Sequence, residues 1–313
     1  MRVAVAGLGL IGGSAALALA QAGHEVIGYD PDDATREAAA SKFSVVSDPA
    51  ALLDAEIAVV AAPMSRLAEV ATETFPPGYG GIVTDTASVK AEAARLFAQH
   101  PRFVGGHPMT GKETAGFASA EAGLFQGRVW VLCLEAGTDL DDWAALARLW
   151  TSVGARVVPA TAADHDRSAA RISHVEHAVA AALVEVAGDP LSLALAAGSF
   201  RDGTRVAASP TGLFAGMAAG NRAELLAALD DLGAELAEAR RRIADGPALP
   251  GVVAEWFERS RRVRAAWPPG PGEVEEMPLE RDALVALGAA GGWVEGFESE
   301  VALVRRPRVE STP

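Results

Sequence analysis

The first residues with an evident chemical use are glycines. Gly7-Leu8-Gly9-Leu10-Ile11-Gly12 follows the β-branched run Val3–Ala6 and opens an Ala/Leu-rich stretch of helical spacing, and Asp30 stands 18 residues beyond Gly12, where a second strand should end. In a strand–turn–helix unit the first glycine permits a tight turn, the second lets backbone approach a pyrophosphate, and the third lets helix pack close to strand. The backbone N–H groups around Gly9, Leu10, Ile11 and Gly12 would then meet phosphates at the positive end of the helix dipole. An acid at position 30 accepts hydrogen bonds from adenosine ribose hydroxyls and repels a 2′-phosphate. The pattern therefore predicts a dinucleotide site for NAD rather than NADP, with Arg36 the nearest basic residue able to reverse the preference.

Three further clusters hold polar residues that surface exposure alone does not explain. Thr84-Asp85-Thr86-Ala87-Ser88-Val89-Lys90 lies at the carboxyl end of an expected strand, where ligands of open α/β sheets sit. Ser88 or Thr86 could equally cap the helix expected over Val89–Gln99. In Gly105-Gly106-His107-Pro108-Met109-Thr110-Gly111-Lys112-Glu113, the flanking glycines and the proline place His107 in a loop that a ligand or another backbone approaches closely. The third cluster combines Asp164-His165-Asp166, Ser173-His174-Val175-Glu176-His177 and Arg201-Asp202-Gly203-Thr204-Arg205. Helical spacing puts Ser173 and His177 on one face, with His174 turned to the side. No His-Glu-x-x-His pattern occurs and the single cysteine lies elsewhere, so the spacing favours hydrogen bonding over a metal.

These clusters need a scaffold. Short apolar runs at Val3–Ala6, Val26–Tyr29, Ile57–Ala61, Ile82–Asp85, Phe103–Gly105, Val129–Leu134 and Arg156–Val158 alternate with segments of helical spacing. Strand–helix–strand repeats build a parallel sheet covered by helices, so the fold class is α/β with a Rossmann-type amino-terminal domain over residues 1–160. After Pro159 long Ala/Leu-rich helical patterns take over, predicting an all-helical domain over residues 161–266. Trp267–Gly272 reads as a linker, and the sequence assigns no role to the tail from 267 to 313.

The 313 residues are half apolar, with 27 basic against 41 acidic side chains for a formal charge of −14. That balance argues against nucleic acid or an anionic membrane as a partner, since both reward a basic surface. Arg2 and the Ala18-Leu19-Ala20 run resemble an export signal, but four glycines at 7, 9, 12 and 13 would break its helix. With no apolar run of the roughly 18–20 residues that span a bilayer, and one lone Cys133, a soluble protein of a reducing cytoplasm is expected.

The motifs together resemble the prephenate/arogenate dehydrogenases of tyrosine biosynthesis. The resemblance covers roughly residues 1 to 245 and rests on GLGLIGGS at 7–14, TDTASVK at 84–90, GGHPMTGKETAG at 105–116, HD at 165–166, SHVEH at 173–177 and RDGTRVA at 201–207. It implies a Rossmann domain followed by a helical domain that forms a homodimer. It also implies NAD-dependent oxidative decarboxylation of prephenate to 4-hydroxyphenylpyruvate, or of arogenate to tyrosine. By the same resemblance His107 is the catalytic base and Ser88 hydrogen-bonds beside it; Arg205 grips a substrate carboxylate, with His177, Glu113 and His174 also on the substrate side. Asp166 and Asp202 would be supporting positions.

Glu176 stands where the family has proline, Phe214 where relatives often carry tryptophan, and the tail is too short for the regulatory ACT domain that some members append. Two rival readings remain. A β-hydroxyacid-type dehydrogenase would need a lysine in the helical domain, yet none follows Lys112. A non-catalytic NAD(H) sensor would need neither His107 nor Arg205.

Overall fold

The computed structural model describes residues 1–112, 114–244 and 249–308, so Glu113 lies outside the described residues. The chain begins with β1 (Arg2–Ala6), α1 (Leu10–Gln21), β2 (Glu25–Tyr29), α2 (Asp33–Ala39), β3 (Ser44–Val45), β4 (Ile57–Val60), α3 (Leu67–Glu69), β5 (Ile82–Asp85), α4 (Lys90–Leu96) and β6 (Phe103–Val104). Its strands pair in parallel in the order β3-β2-β1-β4-β5-β6. Successive side chains of a strand point to opposite faces. Accordingly Val3 and Val5 enter one buried cluster and Ala4 and Ala6 the other, so β1 is apolar throughout.

At Gly105 the chain leaves this sheet. A second sheet starts with β7 (Gly106–Pro108), β8 (Val129–Cys133), α5 (Leu140–Ser152) and β9 (Arg156–Ala160). The helical region follows as α6 (Ala162–Ala169), a π-helical turn over Ala170–His174, α7 (Val175–Val186), α8 (Pro190–Leu195), α9 (Gly198–Thr204), a 3₁₀ turn over Arg205–Ala208, α10 (Thr211–Gly220), α11 (Arg222–Ala244) and α12 (Leu249–Ala265). The tail then returns as β10 (Glu275–Pro278), α13 (Arg281–Ala289), β11 (Trp293–Glu298) and β12 (Val301–Arg305), giving the second sheet the order β10-β12-β11-β9-β8-β7.

A Rossmann-type parallel sheet followed by a largely helical region is thus the architecture expected from periodicity. The strands around 129–134 and 156–158 differ from expectation in their sheet. They do pair in parallel, but with each other in the second sheet. An apolar run bounded by helices reports a buried parallel strand without naming its neighbour, which explains the difference.

The tail, for which the sequence suggested no role, completes the core between the sheets. Leu284, Leu287, Val294, Ala302 and Val304 bury in the same cluster as Val3, Leu19, Trp130 and Trp150. Arg281 ties α13 to the chain after β8 by donating to the carbonyls of Glu135 and Thr138. Gly288 lies so close to β9 that an added Cβ would sit 1.7 Å from the Pro159 carbonyl oxygen. Gly288→Ala should therefore lower unfolding stability by about 1–3 kcal/mol through overpacking against backbone. Urea denaturation checks this, and a change within error would mean that α13 does not dock as described.

Candidate active site

His107 sits half-buried in the middle of β7, where the chain crosses from one sheet to the other. The loop expected around it is a short strand, because Gly106 and Pro108 pair with Leu132 and Trp130 of β8. Two buried charged side chains hold the start of that strand. Asp85 accepts from the Gly106 N–H at 3.0 Å and from Ala87 N–H at 3.0 Å, while Lys90 Nζ donates to the Gly106 carbonyl at 2.6 Å and pairs with Asp85. Both side chains are fully excluded from solvent. Gly106 must be glycine, since a Cβ there would come within 2.7 Å of the Asp85 carbonyl oxygen.

The other side of His107 meets the helical region. His107 Nδ1 lies 2.8 Å from His165 Nε2, with the rings edge to face, and His165 Nδ1 lies 2.7 Å from Asp166 Oδ1. Asp166 Oδ1 and Oδ2 also accept from the N–H groups of Lys90 (2.7 Å) and Ala91 (2.8 Å). These are free amides at the start of α4, whose cap residue Val89 has no side chain able to bond them. Capping by Ser88 or Thr86 is therefore replaced by a carboxylate from another element. Asn221 completes the network, donating to the Asp166 carbonyl at 2.7 Å with His174 Nδ1 at 3.2 Å.

The electrostatics follow from this packing. Burial, reinforced by His165, Lys90 and His174, holds the His107 pKa well below the usual 6.5. Burial would raise the Asp166 pKa, but hydrogen bonds from His165 and the two α4 amides outweigh it and hold the carboxyl below its ordinary value. Burial also lowers the pKa of His174, against the opposing pull of Asp166.

The glycine turn fits a dinucleotide. Gly7 adopts φ +96°, and a Cβ on Gly12 would come 1.9 Å from the Gly7 carbonyl oxygen, so turn and helix approach can be made only by glycine at both. A Cβ on Gly9 would meet nothing within 4 Å: the helix start is open on that side, and no side chain caps it. Asp30 directly follows β2 beside this turn, its carboxylate fixed by the Leu8 N–H (2.7 Å) and the Asp32 N–H (3.0 Å). Arg36 donates to the Asp30 carbonyl at 2.6 Å and pairs with Asp33.

The remaining expected residues come from a single helical rod and its neighbours. Residues 162–186 run from α6 through the π turn into α7, so the rod that brings His165 to His107 also carries His174 and His177. π turns of this kind often accompany functional sites. His174 is only 1% exposed and engaged by Asn221, which puts it beneath the surface instead of in contact with solvent. His177 is half-buried and stacks on Phe214, ring centroids 5.9 Å apart. Arg205 opens the 3₁₀ turn that packs against α7. Ser88 is half-buried between β5 and α4.

Sequence reasoning gave His165 no role and missed Asn221 and the Lys90–Asp85 pair. The adjacent His-Asp at the first turn of a helix was the available signal, but the partner of His165 is 58 positions away.

The chain is similar to proteins of known family and fold. Residues 15–159 match the family model described as the prephenate dehydrogenase nucleotide-binding domain, and residues 161–253 match the prephenate dehydrogenase dimerization domain. The chain is 32% identical over 283 residues to a cyclohexadienyl dehydrogenase of Zymomonas mobilis, covering 84% of this chain and 95% of that one. Arogenate dehydrogenase of Synechocystis superposes with TM-score 0.75 at 31% identity, over 85% of this chain and all of the other. Prephenate dehydrogenase of Aquifex aeolicus, solved with hydroxyphenyl propionate and NAD+, superposes with TM-score 0.76 at 25% identity, over 85% and 97% of the two chains.

The buried ion pair beneath His107 makes a stability prediction. Lys90→Met leaves Asp85 as a buried charge without its cation and should cost about 3–5 kcal/mol in chemical unfolding. Adding Asp85→Asn to that variant should recover part of the loss. Equal costs for the single and double variants would mean that the pair is not coupled.

Proposed function

The chain belongs to the prephenate dehydrogenase family, and from that premise we propose that it oxidises and decarboxylates prephenate with NAD to give 4-hydroxyphenylpyruvate. The observation that carries the proposal is the half-buried imidazole of His107, joined to His165 and held at the junction of the sheet and helical halves. A nucleotide sensor has no use for that arrangement, and a β-hydroxyacid-type enzyme would need a lysine in the helical region, where the sequence has none after Lys112. Absence of a membrane-crossing helix among the described residues fits a cytoplasmic enzyme.

The chemistry needs little beyond a base, an anion grip and an electron acceptor. NAD, held by Gly7, Gly9, Leu10, Ile11, Gly12 and Asp30, supplies the two-electron acceptor when bound. His107 takes the proton of the ring hydroxyl while the same carbon gives up its hydrogen with the electron pair, leaving a carbonyl. The bond to the ring carboxylate then breaks, CO₂ departs, and its electrons enter the ring, leaving a phenolate that takes back the proton held on His107 to become a phenol. A neutral imidazole suits the first step because it can accept at neutral pH. Ser88 would steady the hydroxyl beside His107. Arg205 would hold a carboxylate with its guanidinium fork, with His177 lining the same end and His174 supporting it from below; the substrate-side role of Glu113 rests on the family resemblance alone.

Arogenate is the second reading. It differs from prephenate only in carrying an amino group in place of the side-chain keto group, and the similarity to the Synechocystis arogenate dehydrogenase favours testing it. A homodimer belongs to the proposal too. Val186, Leu191 and Leu195 are 85%, 68% and 74% exposed on α7 and α8, an apolar surface that a second copy would cover.

NADH appearance on mixing protein with NAD and either substrate tests the reaction. No rise with either, from protein shown to bind NAD, would overturn the proposal. His107→Asn should depress kcat with little change in KM, whereas Arg205→Ala should mainly raise KM. The pH profile carries its own sign. Protonating the base abolishes activity, and its pKa lies below 6.5, so kcat/KM should stay level as pH falls from about 8 to 6.5 and decline only below that.

A further inference from the structure

Which nitrogen of His107 accepts the proton depends on a chain of hydrogen bonds that begins at the start of α4. Asp166 is fixed there by two backbone amides, 2.7 and 2.8 Å from its oxygens. An ionised carboxylate can only accept, so the His165 nitrogen 2.7 Å away, Nδ1, must carry a hydrogen. A His165 ring that carries this one hydrogen has its lone pair on Nε2. That atom is 2.8 Å from His107 Nδ1, and two lone pairs cannot face each other at that distance, so His107 Nδ1 carries the hydrogen between them. A neutral His107 is left with its lone pair on Nε2.

We propose that His165 and Asp166 are positioning residues that lock His107 as its Nδ1–H tautomer, making Nε2 the proton-accepting atom. The lock spans the two halves: the base comes from β7, the residues that set its tautomer from α6, and their anchor is α4. The charged and titratable groups around His107 are His165 and Asp166 from α6, Lys90 from α4 with Asp85 from β5, and His174 from the π turn. The proposal rests on the dehydrogenase reading for its catalytic consequence, but the tautomer itself is readable without substrate.

The direct test is ¹⁵N NMR of histidine-labelled protein with NAD bound, at a pH where His107 is neutral. Nδ1 of His107 should be protonated and Nε2 bare. An Nε2–H tautomer of His107, or a His165 protonated on both nitrogens, overturns the lock whether or not the protein turns over prephenate.

Variants give the kinetic arm. Asp166→Asn can keep its oxygen where Oδ1 sits, accepting from both the Lys90 N–H and His165 Nδ1, whereas leucine there accepts from neither; kcat of Asp166→Leu should fall at least about tenfold below that of Asp166→Asn, with NAD affinity and substrate KM of both within about threefold. Glutamine at position 165 keeps the polarity, donating to Asp166 and accepting from His107, whereas leucine does neither. His165→Gln should therefore retain at least about tenfold more kcat than His165→Leu. Equal kcat losses for His165→Gln and His165→Leu, or for Asp166→Asn and Asp166→Leu, would reduce both residues to packing.

Discussion

The carboxylate of Asp166 is the contact on which both halves of the molecule depend. It belongs to the helical region but closes the open end of α4 in the sheet region, where the preceding Val89 offers no cap of its own. A side-chain cap is commonly worth about 1 kcal/mol, and hydrogen bonds to a charged group about 1.5–3 kcal/mol each, so separating the halves would strand two amides and a charge together. Because a distant residue does the capping, Ser88 and Thr86 are released from a task that their sequence position suggests for them.

The Lys90–Asp85 pair poses a different problem, since burying two charges rarely gains stability over an apolar pair of the same size. Its value lies in what it touches. Asp85 takes the N–H of Gly106, Lys90 takes the carbonyl, and so both backbone polar groups of the residue before His107 are fixed. β7 pairs with β8 on one side and ends its sheet on the other, and a buried ion pair takes up the Gly106 groups that no neighbouring strand reaches. Together with Asp166, whose oxygens sit on the backbone of Lys90 and Ala91, this makes the start of α4 the common support for the base and for the group that orients it.

The sequence was legible wherever function depends on neighbours in the chain. Gly7, Gly9, Gly12 and Asp30 are readable because a βα turn is local and each glycine has its own steric reason. The alternation of apolar runs likewise revealed the parallel sheet and the change to helices near Pro159. Two things were not legible. The crossing of His107 from loop to strand depends on β8, whose pairing is a tertiary fact, and the facing of His107 by His165 depends on how α6 docks on α4. The tail resisted for the same reason: its strands alternate weakly and gain their meaning only in the sheet that β11 joins to β9.

That tail bears on the site through geometry alone. The chain passes between the halves twice, from β9 into α6 and from α12 back to β10. The second passage lets α13 and β11 press on β9: Gly288 packs against Pro159, and Val294 pairs with Val157. Pro159 stands only six residues before His165 in the sequence, and Thr161 between them caps α6 through the Asp164 N–H. The direction in which α6 departs is therefore constrained at its root by the last strands of the chain and at its first turn by Asp166 on α4. An imidazole must be placed within tenths of an ångström to share a hydrogen with its neighbour, and a helix held at both points meets that demand where one joined by a single flexible link would not.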